Sequence, residues 1–180
     1  RDGRVRVAFR EQIADPENHP FPTRSGKIEI VSPDLYRLGR PEEIPAIPRH
    51  MPCPEGPEDP LTQRFPLQLV GWHTRRRCHS IHDNNQWMDE VEAPALWIHP
   101  EDAGARGIGQ GDLVEVFNDR GSVRIPALVT ERIMRGVTAM SQGGWYRPDG
   151  QGRDTRGSIN VLTDGDHPSG QGKSPAYQSG

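Results

Sequence analysis

The clearest alternation of apolar and polar positions runs from Leu96 to Thr130 and predicts strand, short helix, turn, strand, hairpin and strand. Pro100 suits a first helical position, and Glu101 and Asp102 place negative charge where the helix dipole favours it. Gly107 is expected to stop that helix after two turns, and Gly109 and Gly111 flank a tight connection into Asp112. Leu113, Glu115 and Phe117 then alternate with Val114 and Val116 at the two-residue period of a strand. Asn118-Asp119-Arg120-Gly121 reads as a hairpin turn with its glycine late, so Gly121 is expected to take a positive φ. On the return strand Val123, Ile125, Ala127 and Val129 form a core face, opposite Ser122, Arg124 and Leu128.

Elsewhere the pattern is shorter. Val5, Val7 and Phe9 alternate with Arg4, Arg6 and Arg10, which predicts an edge strand or a tail, and Ser25-Gly26 leads into a short strand of Ile28 and Ile30. Eight prolines between Arg40 and Pro66 predict an extended connector. Leu67 to Gly71 is apolar on both sides and is expected to be an internal strand, as is Val137 to Ser141. Trp87 to Pro94 reads as a loop or half-turn with an acidic, solvated face. Residues 147–158, rich in Gly, Asp and Arg, read as a mobile loop. The organisation expected is an N-terminal arm and connector over residues 1–60 and a β-barrel domain over 61–180.

Composition supports a globular middle with long irregular arms. Of 180 residues, 20 are glycine and 18 proline, and only 32% are hydrophobic. The formal net charge of −3 supplies no overall basic field for nucleic acid or an anionic membrane, and neither partner is expected. No run of about 18 apolar residues exists, so no direct membrane insertion is expected. The first residues lack the apolar core of a signal peptide, and with no initiator Met the chain reads as an excised piece of a longer one. Two cysteines, Cys53 and Cys78, make neither a disulfide framework nor a zinc signature, and a bridge between them stays open.

The most chemically loaded stretch runs from Trp72 to Asn85. A metal site of His73, Cys78, His79 and His82 matches no common zinc spacing. A nucleic-acid patch of Arg75, Arg76 and Arg77 lacks interleaved aromatics. The third reading is a polar loop that binds a phosphorylated or heteroaromatic ligand, since its His, Arg, Ser and Asn groups offer donors and acceptors to a fused ring and an anion. Asp83 is the one acid within it, so the loop is expected to lack internal charge compensation and to order around a bound anion. Gly143 and Gly144, beside Trp145 and Tyr146, would let a backbone approach a flat ligand, or else pack at a barrel edge.

Several spacings resemble one family. Pro100 to Gly121 follows "P-x-D-A-x-x-R-G-I-x-x-G-D-x-V-x-V-x-N-x-R-G", and His73, Arg77, His79 and Ser80 follow "H-x-x-x-R-x-H-S". Phe21 to Glu29 follows "F-x-T-x-S-G-K-I-E", Gly143 to Pro148 "G-x-W-Y-x-P", and Asn160 to Thr163 "N-x-L-T". The chain thereby resembles the C-terminal domain of molybdopterin oxidoreductases of the dimethyl sulfoxide reductase family. The pair "F-N-D-R-G" and "W-Y-x-P-D" is most similar to the anaerobic dimethyl sulfoxide reductase catalytic chains. In the tail, Gly172-Lys173 departs from the usual Gly-Asn.

The resemblance implies a mainly β fold, a six-stranded double-psi β-barrel with a few short helices. It implies a domain that caps bis(molybdopterin guanine dinucleotide) with molybdenum in an S-oxide or N-oxide reductase. Cofactor contacts would come from His73, Thr74, Arg77, His79, Ser80, Asn85, Trp145, Tyr146, Asn160, Tyr177 and Gln178, with no catalytic or metal-ligating residue. Any iron–sulfur cluster is expected upstream, and residues 1–180 alone are expected to be inactive. Implied partners are the preceding domains of the same chain, an iron–sulfur electron-transfer subunit and a membrane anchor, in a bacterial periplasmic or membrane-associated complex. A β-barrel protein-interaction domain without cofactor contact is the alternative.

Overall fold

The computed structural model of the chain describes residues 5–52 and 54–163. The chain divides between Met51 and Pro52 into two compact units. In the first, the alternating apolar positions do not form strands. Phe9 instead takes a left-handed conformation (φ 56°) and opens a short helix, α1 (Arg10–Ala14). Ile28 and Ile30 remain exposed in irregular backbone. A strand this short is held by pairing rather than by its own pattern, and the described residues of this unit supply no partner strand. What order there is comes from local contacts. Ser32 Oγ accepts the Leu35 N–H at 3.3 Å and caps α2 (Pro33–Arg37), and the Phe9 and Phe21 rings lie 5.4 Å apart.

The second unit is organised by a five-stranded sheet: β1 (Gln68–Trp72), β2 (Leu96–Ile98), β3 (Leu113–Phe117), β4 (Ser122–Val129) and β5 (Val137–Ser141). The spatial order is β1-β5-β2-β4-β3. β1 pairs parallel with β5 and β2 parallel with β4, whereas β5 with β2 and β4 with β3 are antiparallel. The architecture is mainly sheet with a few short helices. A closed, six-stranded barrel was expected; among the described residues there are five strands, and the outer strands β1 and β3 are not paired with each other. β1 is accordingly an edge rather than an internal strand. Leu69 is buried while Val70, on the other face, is half exposed.

The core lies where the β4 pattern places it. Val123 and Ile125 pack with Leu69, Leu96, Met140, Ile159 and Leu162, while Ala127 joins Ile98 and Ala103. Each large aliphatic side chain so buried contributes roughly 1.5–3 kcal/mol. The helix α4 (Pro100–Gly104) carries Ala103 into this core and is shorter than its expected two turns. His99 Nδ1 caps it by accepting the Glu101 N–H at 3.2 Å, and Gly107 turns the chain at φ 65°.

Three other expectations need correcting. Where a loop or half-turn was expected, Gln86–Val91 forms a helix, α3, which Asn85 Oδ1 caps at the Trp87 N–H (3.1 Å). Residues 147–158 are tied down rather than left without partners. Asp154, with no exposed surface, accepts N–H bonds from Arg147, Gly157 and Ser158 at 2.7 Å and from Arg156 at 3.2 Å. Gly121 is not among the positive-φ residues. It is required by space instead, since a Cβ there would lie 2.6 Å from Val161 Cγ1.

Gly121→Ala is therefore expected to lower stability by about 1–3 kcal/mol through overpacking. Adding Val161→Ala should recover part of that loss, and an unchanged melting temperature in the single variant would refute the contact.

Asp149 supplies a pH prediction. The Arg153 side chain, then the Gln151 and Arg153 N–H groups, hold its carboxyl below the usual 3.8. Its folded value being the lower one, its contribution to the turn is fully present above the unfolded value and disappears as pH falls through the folded one. An NMR titration of the Asp149 carboxyl should show a midpoint below that of an unstructured aspartate.

Candidate functional site

Asp83, 3% exposed, is the centre of the Trp72–Asn85 loop. An isolated buried carboxylate is costly, and this one has four donors around it. Arg77 Nη1 pairs with Oδ1. Arg156 donates from Nε to Oδ2 and from Nη2 to Oδ1, both at 3.0 Å, and the Trp145 N–H reaches Oδ2 at 2.8 Å. Arg156 also grips Asp89 of α3 at 2.6 and 2.8 Å, and Arg77 donates to Ser141 Oγ at 3.1 Å. Burial pulls the Arg77 guanidinium below its usual value, and the neighbouring Arg156 adds to that. Asp83 is thus answered by Arg77 of its own loop and by Arg156 from outside it, and Asp89 balances the second cation.

The expected ligand residues separate on this frame. Arg77 points its charge inward. Thr74 is buried and donates to Glu92 Oε2 at 3.1 Å. Asn85 caps α3. His73 and His79 stand exposed with ring centroids 5.0 Å apart, and His79 holds φ 52°. Ser80 is exposed, and its carbonyl accepts Trp145 Nε1 at 2.8 Å. Trp145 and Tyr146 are about half exposed, and Asn160 is exposed. Tyr177 and Gln178 lie outside the described residues. Gly143 and Gly144 permit a close approach, but of this chain's own backbone. A Cβ on Gly143 would run into the His79 carbonyl, and one on Gly144 would meet the Gly157 carbonyl at 2.5 Å.

Beside the loop opens a cleft of about 620 Å³, lined by His73, Arg75, Arg76, Glu92, Trp72, Trp97 and Arg132 among others. Arg132 lies 4.9 Å over the Trp97 ring, which is itself 5.1 Å from Trp72. Arg75 has no ion-pair or hydrogen-bond partner among the described residues. Trp72 Nε1 is a buried donor without an acceptor there. Three arginines against one glutamate, with two indoles, make a wall suited to a polyanion carrying fused rings. Cys78 is an exposed thiol, and among the described residues no group of three or more His, Cys, Asp or Glu is arranged to hold a metal ion.

Sequence reasoning missed Arg132, Trp97 and Arg156. Arg156 lies 73 residues from Asp83, a separation that no local period reports. Asp83→Asn, which leaves two buried guanidinium groups short of a counter-charge, is expected to cost about 3–5 kcal/mol. Denaturant unfolding checks it, and a loss under about 1 kcal/mol, the scale of an exposed pair, would show that the network is dispensable.

Comparison with known proteins adds the lineage. The family model described as "Molydopterin dinucleotide binding domain" matches residues 67–180. Dimethyl sulfoxide reductase DmsA of Escherichia coli K12 is 44% identical over 163 residues, which cover 87% of this chain and 20% of that protein. The Haemophilus influenzae DmsA is 41% identical over 164 residues, 88% of this chain and 20% of that one. The chain therefore spans about a fifth of the length of these curated relatives. Among solved structures, acetylene hydratase from Pelobacter acetylenicus shares the fold, with a TM-score of 0.68 at 20% identity over 92% of this chain and 24% of that one.

Proposed function

The chain belongs to the molydopterin dinucleotide binding domain family, and from that premise we propose that its arginine-rich cleft and the adjoining loop hold the dinucleotide of a molybdenum oxidoreductase. A molybdopterin dinucleotide is the cofactor of this family. The observation that carries the assignment to this site is the cleft itself: Arg75, Arg76 and Arg132 present charge for phosphate, and Trp72 and Trp97 present flat apolar surface for a ring. The residues fit the group, because the buried Trp72 Nε1 is left with a hydrogen to donate. When bound, the cofactor supplies the redox chemistry, and the protein's part is to bind and orient it.

In this reading His73, His79 and Ser80 offer ring-edge and phosphate contacts from the exposed side of the loop. Thr74 acts through Glu92, and Asn85 fixes the start of α3. The base is guanine, the whole protein reduces S-oxides or N-oxides, and the five strands belong to a six-stranded double-psi β-barrel. The first 60 residues link this domain to preceding ones, which carry any iron–sulfur cluster. A separate electron-transfer subunit and a membrane anchor complete the complex, in a bacterial periplasmic or membrane-associated setting. For the chain itself, no helix among the described residues is long and apolar enough to cross a membrane.

The test uses the full-length protein. Arg75→Ala combined with Arg76→Ala is expected to lower cofactor content about tenfold, the scale of one lost charged contact of roughly 1.5 kcal/mol. Content is read as oxidised-pterin fluorescence and nucleotide released per protein. Arg64→Ala, which removes the exposed pair with Asp119 and the guanidinium over the Phe65 ring and touches no cleft residue, is the control and should retain its cofactor. Full content in the double variant would favour a protein-interaction domain without cofactor contact.

A further inference from the structure

Resting on that reading of the cleft, we infer that Arg156 is a positioning residue: acting through Asp83, it sets the shape in which the His73–Asn85 loop meets its ligand. Its guanidinium is used from three directions. Nε and Nη2 hold the Asp83 carboxylate, Nη2 also reaches the Asp83 carbonyl at 2.6 Å, and Nη1 with Nη2 grip Asp89. A planar fork can serve two carboxylates and a carbonyl at once, whereas an ammonium group concentrates its charge at one point. The loop, α3 and residues 154–158 are thereby locked to one side chain that is only 10% exposed.

Further contacts show how closely the loop's shape is specified. Trp145 donates its backbone N–H to Asp83 and its indole Nε1 to the Ser80 carbonyl. Gly143, at φ 88°, lies so close to His79 that no side chain fits between them. His79 and His82 hold φ values of 52° and 72°, a region that non-glycine residues seldom adopt without surroundings that enforce it. The exposed His79 ring is aimed by this backbone.

Arg77 and Arg156 are not equivalent in the arrangement. Without Arg77, Asp83 keeps Arg156 and the Trp145 N–H. Without Arg156, Asp89 loses its cation and the Asp83 carbonyl its donor. Arg77, 7% exposed and held by Asp83 and Ser141, joins the loop only to β5, whereas Arg156 joins it to α3 and residues 154–158. Loop shape, and through it ligand retention, should therefore depend more on Arg156 than on Arg77.

The experiment follows amide hydrogen exchange in cofactor-free full-length protein and pterin content in protein made with its cofactor. In Arg156→Ala, amides of Cys78 to Asn84 should exchange about tenfold faster or more, while those of Val123 to Ala127 keep their protection. Low-millimolar guanidinium should restore both loop protection and pterin retention, a rescue that a purely space-filling role would not show. Arg77→Met should speed loop exchange less than Arg156→Ala does, since Asp83 keeps Arg156 and the Trp145 N–H. If Arg156→Ala also loses protection in β4, Arg156→Lys carries the test, with faster loop exchange expected over an intact β4. Unchanged loop exchange in a folded Arg156 variant, or no rescue by guanidinium, would overturn the inference. Full pterin content in the Arg75→Ala, Arg76→Ala double variant would instead count against the cofactor reading.

Discussion

A carboxylate with 1% of its side chain exposed has to be answered by charge, and Asp83 is answered by Arg77 from its own loop and Arg156 from far along the chain. Desolvating an uncompensated charge costs several kcal/mol. The chain must therefore bring the loop, the start of β5's exit segment and residues 154–158 to one place before that cost is offset. The close packing of Gly143 on His79 and of Gly144 on Gly157 follows from this meeting, as does the seating of Asp89 on Arg156. A loop that composition reads as open and cationic becomes a fixed platform.

The same constraint divides three consecutive arginines into two kinds. Arg77 turns inward to Asp83 and Ser141, while Arg75 and Arg76 line the cleft with Arg132. Inward charge fixes shape; outward charge attracts an anion. A family that binds a dinucleotide needs both, because a phosphate ligand held on an unstructured loop would lose affinity to the ordering of that loop. The tryptophan pair completes the cleft with a flat, apolar wall beside the cations.

Legibility followed the range of the interactions. The element order of the unit from Leu96 to Thr130 was readable because its information is local: alternation in β3 and β4, a capped proline at the helix start, glycines at the turns. Val123, Ile125 and Ala127 appear in the core as that alternation requires. The pattern at Val5, Val7 and Phe9 was as regular, yet gave no strand, because alternation specifies a face and not a partner. Gly121 was flagged for the wrong reason, since its neighbour Val161 is distant in sequence. The "H-x-x-x-R-x-H-S" spacing located the loop but not the direction in which Arg77 points, which depends on Asp83 and on the unforeseen Arg156. Arg132 and Trp97, separated by 35 positions, make a wall of the cleft that no motif announces.

The most direct test is the density of the bound dinucleotide in the full-length, cofactor-loaded protein. Its phosphate oxygens should lie within hydrogen-bonding distance of Arg75, Arg76 or Arg132, with Arg156 still on Asp83 and Asp89. A cofactor that touches none of those three arginines, or a loop in which Asp83 has left Arg156, would contradict this reading.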